Sequence, residues 1–535
     1  MRFTDYKFTS HRAPVVARHG LVATSQPLAA QAGLSVLKAG GNAVDAAIAT
    51  VATLCVVEPC STGVGGDAFA LIWSAEEERL FGLNASGPAP MGLTADLVRS
   101  RGHTTFPERG GLTVTVPGGV RGWQLALERF GTLGLDTLVA QSIDYARNGF
   151  PVSPYIAHSW AKSTTLLGRL PDSQRVWLPA GRAPRVTEVF TNPEFAATLQ
   201  TLAEQGYDAL YRGDIAAQIA AAVRADGGVM TEEDLAGYQA EWVEPIAIDY
   251  RDGFAFHEIP PNGQGLAALL ALNIVRGFDL RHIAYGSADY YHILIEAMKL
   301  GFADAQAFIA DPRQAHVPVD ALLSQRYARE RRALINGDTA LWPEPGQPEG
   351  HGDTVYLAVA DEMGNMVSWI QSLYVGFGSG ITAGRTGIQL QNRGANFSLT
   401  RGHPNEVAPG KRPYHTIIPG FITRDGRPWA SYGVMGGFMQ PQGHLQVGAN
   451  LVEFGMDPQS ALDAPRFNWL RGMEVALEPG ISDDVRDELA RRGHMLRPKG
   501  GLMTYGGGQV ILRDPETGVL VGGSEPRNDG AAVGW

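Results

Sequence analysis

Between Ala333 and Asp353 the chain reads ALINGDTALWPEPGQPEGHGD, and it then runs directly into TVYLAVAD at Thr354. The first segment is rich in Pro, Gly and acid and has no apolar period. It cannot supply an inner strand or a packed helix, and is expected to be an exposed, mobile connection. The second segment is a β-forming run. The chain is therefore expected to fold from two unlike pieces: a helix-rich one over 1–353, and a smaller one over 354–535 that opens on a strand. With 535 residues it can bury a full core.

Several functional classes fall away. A formal net charge of −11 argues against a nucleic-acid partner, which calls for a basic field. No apolar run reaches the roughly 18 residues of a membrane span. The opening MRFTDYKFTSHRAPVVARHG has no apolar core of a signal peptide, so a cytoplasmic location is expected. Cys55 and Cys60 are the two cysteines. They read as a reduced pair, and are too few for a disulfide scaffold or a metal cage. The 66 Gly and 33 Pro point to many tight turns.

Periodicity outlines the elements. AAQAGLSVLKAGGN predicts a helix from about Ala29 that stops at Gly40-Gly41, and AVDAAIATVATLCVV predicts a buried helix. Gly63–Trp73 reads as a glycine turn feeding a buried strand, and Gly111–Trp123 as a strand, a turn and a helix start. Residues 124–240 read as mainly helical. IAIDYRDGFAFHEIPP predicts a strand–turn–strand, followed by helices in LAALLALNIVRGF and ADYYHILIEAMKLGFADAQAF. TVYLAVAD, a turn at Glu362–Asn365 and MVSWIQSLY predict a hairpin with period-2 apolar alternation, and helices return over about 444–465.

The common catalytic signatures are missing: there is no GxSxG, no GxxxxGK[ST] and no HExxH. A lone histidine such as His257 or His292 reads as a satisfied partner rather than a ligand. What remains is a cleavable linker ending on a threonine at a strand start. Cleavage there would give that threonine both a hydroxyl and a free α-amine. Such an amine has a pKa near 7.7–8.0, suited to act as base for its own hydroxyl. Two Gly-Asp-Thr copies exist, ending at Thr339 and Thr354. Thr339 is followed by ALWPEPG, which cannot lead a strand, so Thr354 is favoured. In SYGVMGGFMQPQGH the pair Gly436-Gly437 follows a short strand and precedes a helix. Adjacent glycines there can turn backbone amides into a cleft, as an oxyanion requires. Asp67 reads as a loop residue holding its turn, and Pro260–Gly265 as a turn approaching the cleft by backbone.

These segments together resemble the γ-glutamyltransferase family of Ntn-hydrolases. The resemblance rests on LVATSQPLAAQAGLSVLKAGGNAVDAAIATVATLCVVEPCSTGVGGDAF, TVPGGVRGW, GDTVYLAVAD, FGSGI, KRPYHTIIP and GVMGGFMQPQGH. It implies an α+β, four-layer αββα sandwich made as one precursor and cut between Asp353 and Thr354 into a large and a small subunit that stay together as a heterodimer. It implies Thr354 as nucleophile, Ser372 as its hydroxyl partner, and Gly436 and Gly437 as the oxyanion hole. It implies no metal or organic cofactor, and a small-molecule amide whose acyl group passes to water or an amine.

Departures from the family pattern concern the acyl group. LNASGPAP has no Arg where γ-glutamyl enzymes bind the α-carboxylate, and Ser86 falls near that position. Tyr374 replaces an Asn. Arg393 and Asn396 stand where a Gln and an Asp hold the α-amine. His415-Thr416 replaces a Ser-Ser pair, and the loop from Asn396 to Pro413 is short. The expected substrate is a γ-glutamyl-type amide. The alternative is an acyl group lacking the α-amine, of glutaryl, cephalosporin or oxamate type. A catalytically silent binding protein is the reading from another class.

Overall fold

The computed structural model describes residues 12–343, 353–498 and 502–535. Two seven-stranded sheets form its centre. The first runs, edge to edge, Ala531–Gly534, Gly20–Thr24, Asp353–Asp361, Met366–Tyr374, Asp67–Ser74, Arg79–Ala85, Glu241–Val243. The second runs Val15–Ala17, Leu520–Ser524, Gly507–Arg513, Arg427–Met435, Gly420–Arg424, Phe254–Glu258, Ile246–Asp249. Neighbouring strands pair antiparallel throughout both.

The strand Asp353–Asp361 explains the layering. Its side chains alternate with period two. Val355, Leu357 and Val359 join one core with the helix Ala43–Val57. Tyr356, Ala358 and Ala360 join another with Phe421, Met435 and Ile511 of the second sheet. The far face of that sheet, with Phe256, Ile422 and Tyr432, packs on the helices Gly265–Val275, Ala288–Phe308 and Met439–Val452. The result is the expected αββα sandwich. The expected alternation in MVSWIQSLY therefore separates two buried faces, and every residue of Met366–Tyr374 is buried.

Small residues let the outer layer seat closely. All fifteen residues of Ala43–Val57 are buried, and the helix starts on a capping box of Asn42 and Asp45. It lies so near the helix Pro27–Lys38 that a Cβ on Gly33 would come within 2.1 Å of Thr50 Oγ1. Asp361, at the hairpin turn, accepts from the Ala43 amide at 2.9 Å. The hairpin after residue 353 thus sits between strands Gly20–Thr24 and Asp67–Ser74 that precede it in the chain.

Two expectations are corrected. Gly111–Trp123 does not begin with a strand: Gly111–Thr113 is a single 3-10 turn, and the helix starts at Gly119. The segment is instead pinned to the glycine turn before Asp67, where the Gly118 and Gly119 amides donate to the Gly66 carbonyl at 3.0 and 2.8 Å. The early part of the 333–353 connection is docked rather than free. The Ala340 amide donates to the Arg492 carbonyl at 2.7 Å and the Leu341 amide to Glu296 at 2.8 Å. Residues 344–352 lie outside the described residues. No helix among the described residues is long and apolar enough to cross a membrane.

Candidate active site

The hairpin register slips at the residue the sequence singles out. Asp353 pairs with Tyr374 but Val355 pairs with Gln371, so the facing strand carries one extra residue opposite Thr354. Such a bulge re-aims side chains locally. Thr354 is buried, and its hydroxyl donates to Ser372 Oγ at 3.2 Å. Ser372 Oγ also accepts from the Tyr374 amide at 2.7 Å. Tyr374 holds that amide in place with φ at +84°, a conformation costing a bulky residue about 1–3 kcal/mol. Gln440 Nε2 approaches Thr354 Oγ1 at 3.5 Å, while its carbonyl end accepts from the Ile418 amide at 2.9 Å. Thr339, the other candidate, is exposed in a turn closed by an isolated Asn336–Thr339 bridge.

The second sheet supplies the turn opposite. Strand Arg427–Met435 ends at Gly436 and Gly437, with φ at +125° and +59°, and the helix Met439–Val452 starts at once. A Cβ on Gly436 would stand 3.3 Å from the Gly506 Cα. Gln264 Nε2 donates to the Gly437 carbonyl at 2.9 Å, which fixes the peptide orientation. Pro260–Gly265 thus supports the cleft through a side chain, not by backbone alone. A helix N-terminus and glycine amides beside a hydroxyl suit a developing negative charge.

Arg393 adjoins this group through Tyr374. It is fully buried, its Nη1 donates to Thr416 Oγ1 at 2.6 Å, and its guanidinium carbon lies 4.4 Å from the Tyr374 ring centre. Its Nε and Nη2 have no partner among the described residues. Burial brings its pKa down to about 10, so it stays charged at neutral pH. Asn396 Nδ2 is likewise buried; it lies towards the Tyr374 hydroxyl without forming a hydrogen bond to it.

Behind the arginine lies Asp67. One of its oxygens accepts from the Gly87 and Gly118 amides, both at 3.0 Å, and from Gln391 Nε2 at 2.9 Å. The other faces His415 Nε2 at 3.1 Å. Burial pushes Asp67 up to about 7, against the pull of Arg393. Burial also holds His415 well below the usual imidazole range, and Arg393 and Arg412 add to this. The ring is neutral, accepts the Ile417 amide on Nδ1 at 3.3 Å, and donates to Asp67.

The structure thus brings Thr354, Ser372, Tyr374, Arg393, Asn396, Thr416 and Gly436-Gly437 into one connected cluster. Ser86 and His415 stand behind it rather than in it. Ser86 Oγ donates to Asn84 Oδ1 at 2.7 Å, and His415 is committed to Asp67. Sequence reasoning missed Asp67, Gln391, Gln264 and Gln440 as parts of the site. For Asp67 the available signal was an acid placed at the end of a glycine-rich turn, GVGGDAF.

Two further sequence readings can be placed. His257 bonds Thr423 Oγ1 at 2.9 Å, and His292 bonds His494 and the Asn336 carbonyl at 2.8 and 2.7 Å. His292, Glu296 and His494 have the spacing of a metal site, but the Lys299 ammonium already donates to Glu296 at 2.7 Å. Cys55 and Cys60 are buried thiols not joined in a disulfide.

Known proteins share this architecture. The sequence model of the family described as Gamma-glutamyltranspeptidase matches residues 29–535. The "Glutathione hydrolase-like YwrD proenzyme" of Bacillus subtilis (strain 168) is 40% identical over 526 residues, covering 97% of this chain and 99% of that protein. The "Oxamate amidohydrolase proenzyme" of Klebsiella pneumoniae is 36% identical over 538 residues, covering 97% of this chain and 99% of that protein. Among solved structures, a cephalosporin acylase from Bacillus halodurans superposes with a TM-score of 0.95 at 50% identity, covering 99% of this chain and 98% of that one. Similarity this high runs through both pieces of the chain and across the junction at Thr354. The chain belongs to the gamma-glutamyltranspeptidase family of Ntn-hydrolase enzymes, which are made as proenzymes.

Proposed function

We propose that the chain cuts itself between Asp353 and Thr354, and that the freed Thr354 cleaves amides whose acyl group carries a carboxylate but no α-amine. Glutaryl amides and monoamides of other short dicarboxylic acids are the class meant. The observation that carries the acyl assignment is Arg393: a buried guanidinium with two unpartnered nitrogens is a seat for a carboxylate. Among the described residues an α-ammonium has no comparable seat. The nearest buried acid, Asp67, already accepts from four donors, and Asn396 is neutral. The names of two relatives agree in kind, since oxamate is itself a monoamide of a dicarboxylic acid and lacks an α-amine.

In this reading the Thr354 hydroxyl first attacks the carbonyl of Asp353; the C–N bond then breaks, which frees the α-amine and leaves an ester, and water hydrolyses that ester to release the Asp353 carboxylate and restore the hydroxyl. That amine then takes the hydroxyl proton as Oγ1 attacks the substrate carbonyl. Ser372 holds the hydroxyl in line, and the Gly436 and Gly437 amides receive the oxyanion. The leaving amine takes the proton, and water or a second amine releases the acyl group. The two fragments stay together as a heterodimer because the strands that follow the cut are flanked on both sides by strands that precede it.

The test is a side-by-side rate on glutaryl-p-nitroanilide and γ-glutamyl-p-nitroanilide. The expected outcome is a kcat/KM at least about tenfold higher for the glutaryl compound, a difference of about 1.4 kcal/mol. A clear γ-glutamyl preference would sink the acyl assignment and leave a rearranged γ-glutamyl pocket in its place. The same assay carries a pH prediction. A carboxylate bound at Arg393 lies near Asp67 and favours its protonated form. Asp67 is protonated below about 7 and ionised above. The KM for glutaryl substrates is therefore expected to rise between pH 6 and pH 8.5, while a neutral acyl analogue shows no such rise. His415, Tyr211 and Tyr238 are the other titratable groups near Asp67. All stay neutral across this range, because burial pushes the imidazole down and the phenols up.

A further inference from the structure

We propose that a cavity of about 560 Å³ beside the glycine turn seats the amine half of the amide, and that it selects neutral aromatic amines over anionic ones. This rests on reading Thr354 and Gly436-Gly437 as the reacting centre, but not on the identity of the acyl group.

The cavity adjoins the reacting centre through two of its lining residues. Phe438, in its wall, directly follows Gly437. Asn396, also in its wall, lies towards the hydroxyl of Tyr374, whose ring lies against Arg393. The Arg393 end of the cleft is closed, with Arg393 and Thr416 at 0% and 1% exposure. The cavity instead reaches solvent past Thr400, which is exposed. A substrate with its acyl end on Arg393 and its carbonyl at the glycine turn has its nitrogen side directed here. The volume lies within the range of small-molecule sites and far exceeds what ammonia needs.

The lining decides the chemical class. Phe397, Tyr414 and Phe438 give aromatic walls, and the Tyr414 and Phe438 rings are 5.9 Å apart. Flat rings pack well against such walls. Asn396 offers a buried, unpartnered N–H donor to a neutral acceptor on the ligand. None of the described lining residues carries a fixed charge. His403 accepts the Asn405 amide on Nδ1 at 3.0 Å, and burial together with Lys411 lowers its pKa, which keeps it neutral. Arg401, next to Thr400, lies on the exposed side of the mouth, and the two ions behind the wall are engaged elsewhere. Lys411 is bound to the carbonyls of Pro404 and Glu406, and the Glu406 carboxylate to Arg99 at 2.6 Å. A carboxylate on the leaving amine, as on an amino acid or dipeptide, would lose water here without gaining a cation.

The experiment uses the native, matured enzyme and two free amines that differ in charge alone, 4-aminobenzamide and 4-aminobenzoate. Their affinities are read by ligand-observed NMR titration. The amide is expected to bind at least about tenfold more tightly, and Thr400→Lys, which sets a cation at the mouth, to shrink that ratio at least about fivefold. Ser398→Lys is the second variant should the first not fold. Equal affinities, or a ratio that neither lysine moves, would overturn the proposal. Because no acyl group is present, a γ-glutamyl preference in the hydrolysis assay would remove the acyl reading and leave this result untouched. Intact mass of the same sample shows whether the shared premise, a cut chain, holds.

Discussion

Replacement of Thr354 by alanine is expected to leave a single chain of full mass, where the native protein gives two fragments divided between Asp353 and Thr354. Amidase activity should fall by a factor on the order of 10⁴ or more, the scale seen when a nucleophile is removed and binding alone remains. The two losses share one cause, since the same hydroxyl is asked to attack first its own preceding carbonyl and then the substrate. Thr354→Ser keeps the hydroxyl and should still be cut, more slowly, because the β-methyl that restricts χ1 is gone. The side chain is buried against Ser372 and makes few other polar contacts, so the alanine variant should fold with nearly native stability. Mass spectrometry of the purified native and variant chains reads the cut directly. Cutting at the same bond in the alanine variant would remove Thr354 from both steps. A native chain that stays whole would favour a silent relative.

The fold was legible because its signals are local and strong. The run Ala43–Val57 has no charge apart from its capping Asp45, and such a segment can be only a buried helix. The hairpin after residue 353 is written in two β-rich runs around a polar turn. Thr354 and the glycine pair were legible for the same reason, each sitting at the boundary of a predictable element. The pocket was not. Asp67 gains its meaning only when the chain brings Gly87, Gly118, Gln391 and His415 around it, and these partners are 20 to 348 positions away. His415 and Ser86 were expected to face the substrate because they stand at, or near, family positions that hold the α-carboxylate. The packing turns their polar atoms to Asp67 and Asn84 instead. Likewise TVTVP reads as a strand by composition, but the Gly66 carbonyl captures the amides that follow it, and no partner strand is present beside it among the described residues.

Substituting Arg393 should separate recognition of the acyl carboxylate from the chemistry. Arg393→Gln is expected to lower kcat/KM for glutaryl-p-nitroanilide about 10²–10³-fold, mostly through KM. This corresponds to losing two charge-assisted hydrogen bonds worth about 1.5–3 kcal/mol each, less than fully additive. Turnover of a neutral acyl analogue such as valeryl-p-nitroanilide should change little, because Thr354, Ser372 and the glycine turn do not bond Arg393. Arg393→Lys keeps a charge but not the planar fork, and should recover only part of the loss. The arginine also faces a buried acid, so its removal has a second consequence that can be checked. Without the cation Asp67 is held back from ionising by burial alone, and its pKa should climb above about 7. Ionising it would then cost more, so the stability of the glutamine variant relative to native should worsen as pH rises from 6 to 9. Intact mass must show both variants cut, which proves that the catalytic hydroxyl is in place. If glutaryl and valeryl substrates lose activity in equal measure, Arg393 serves the architecture of the cleft and not the carboxylate, and the acyl group must be sought by another contact.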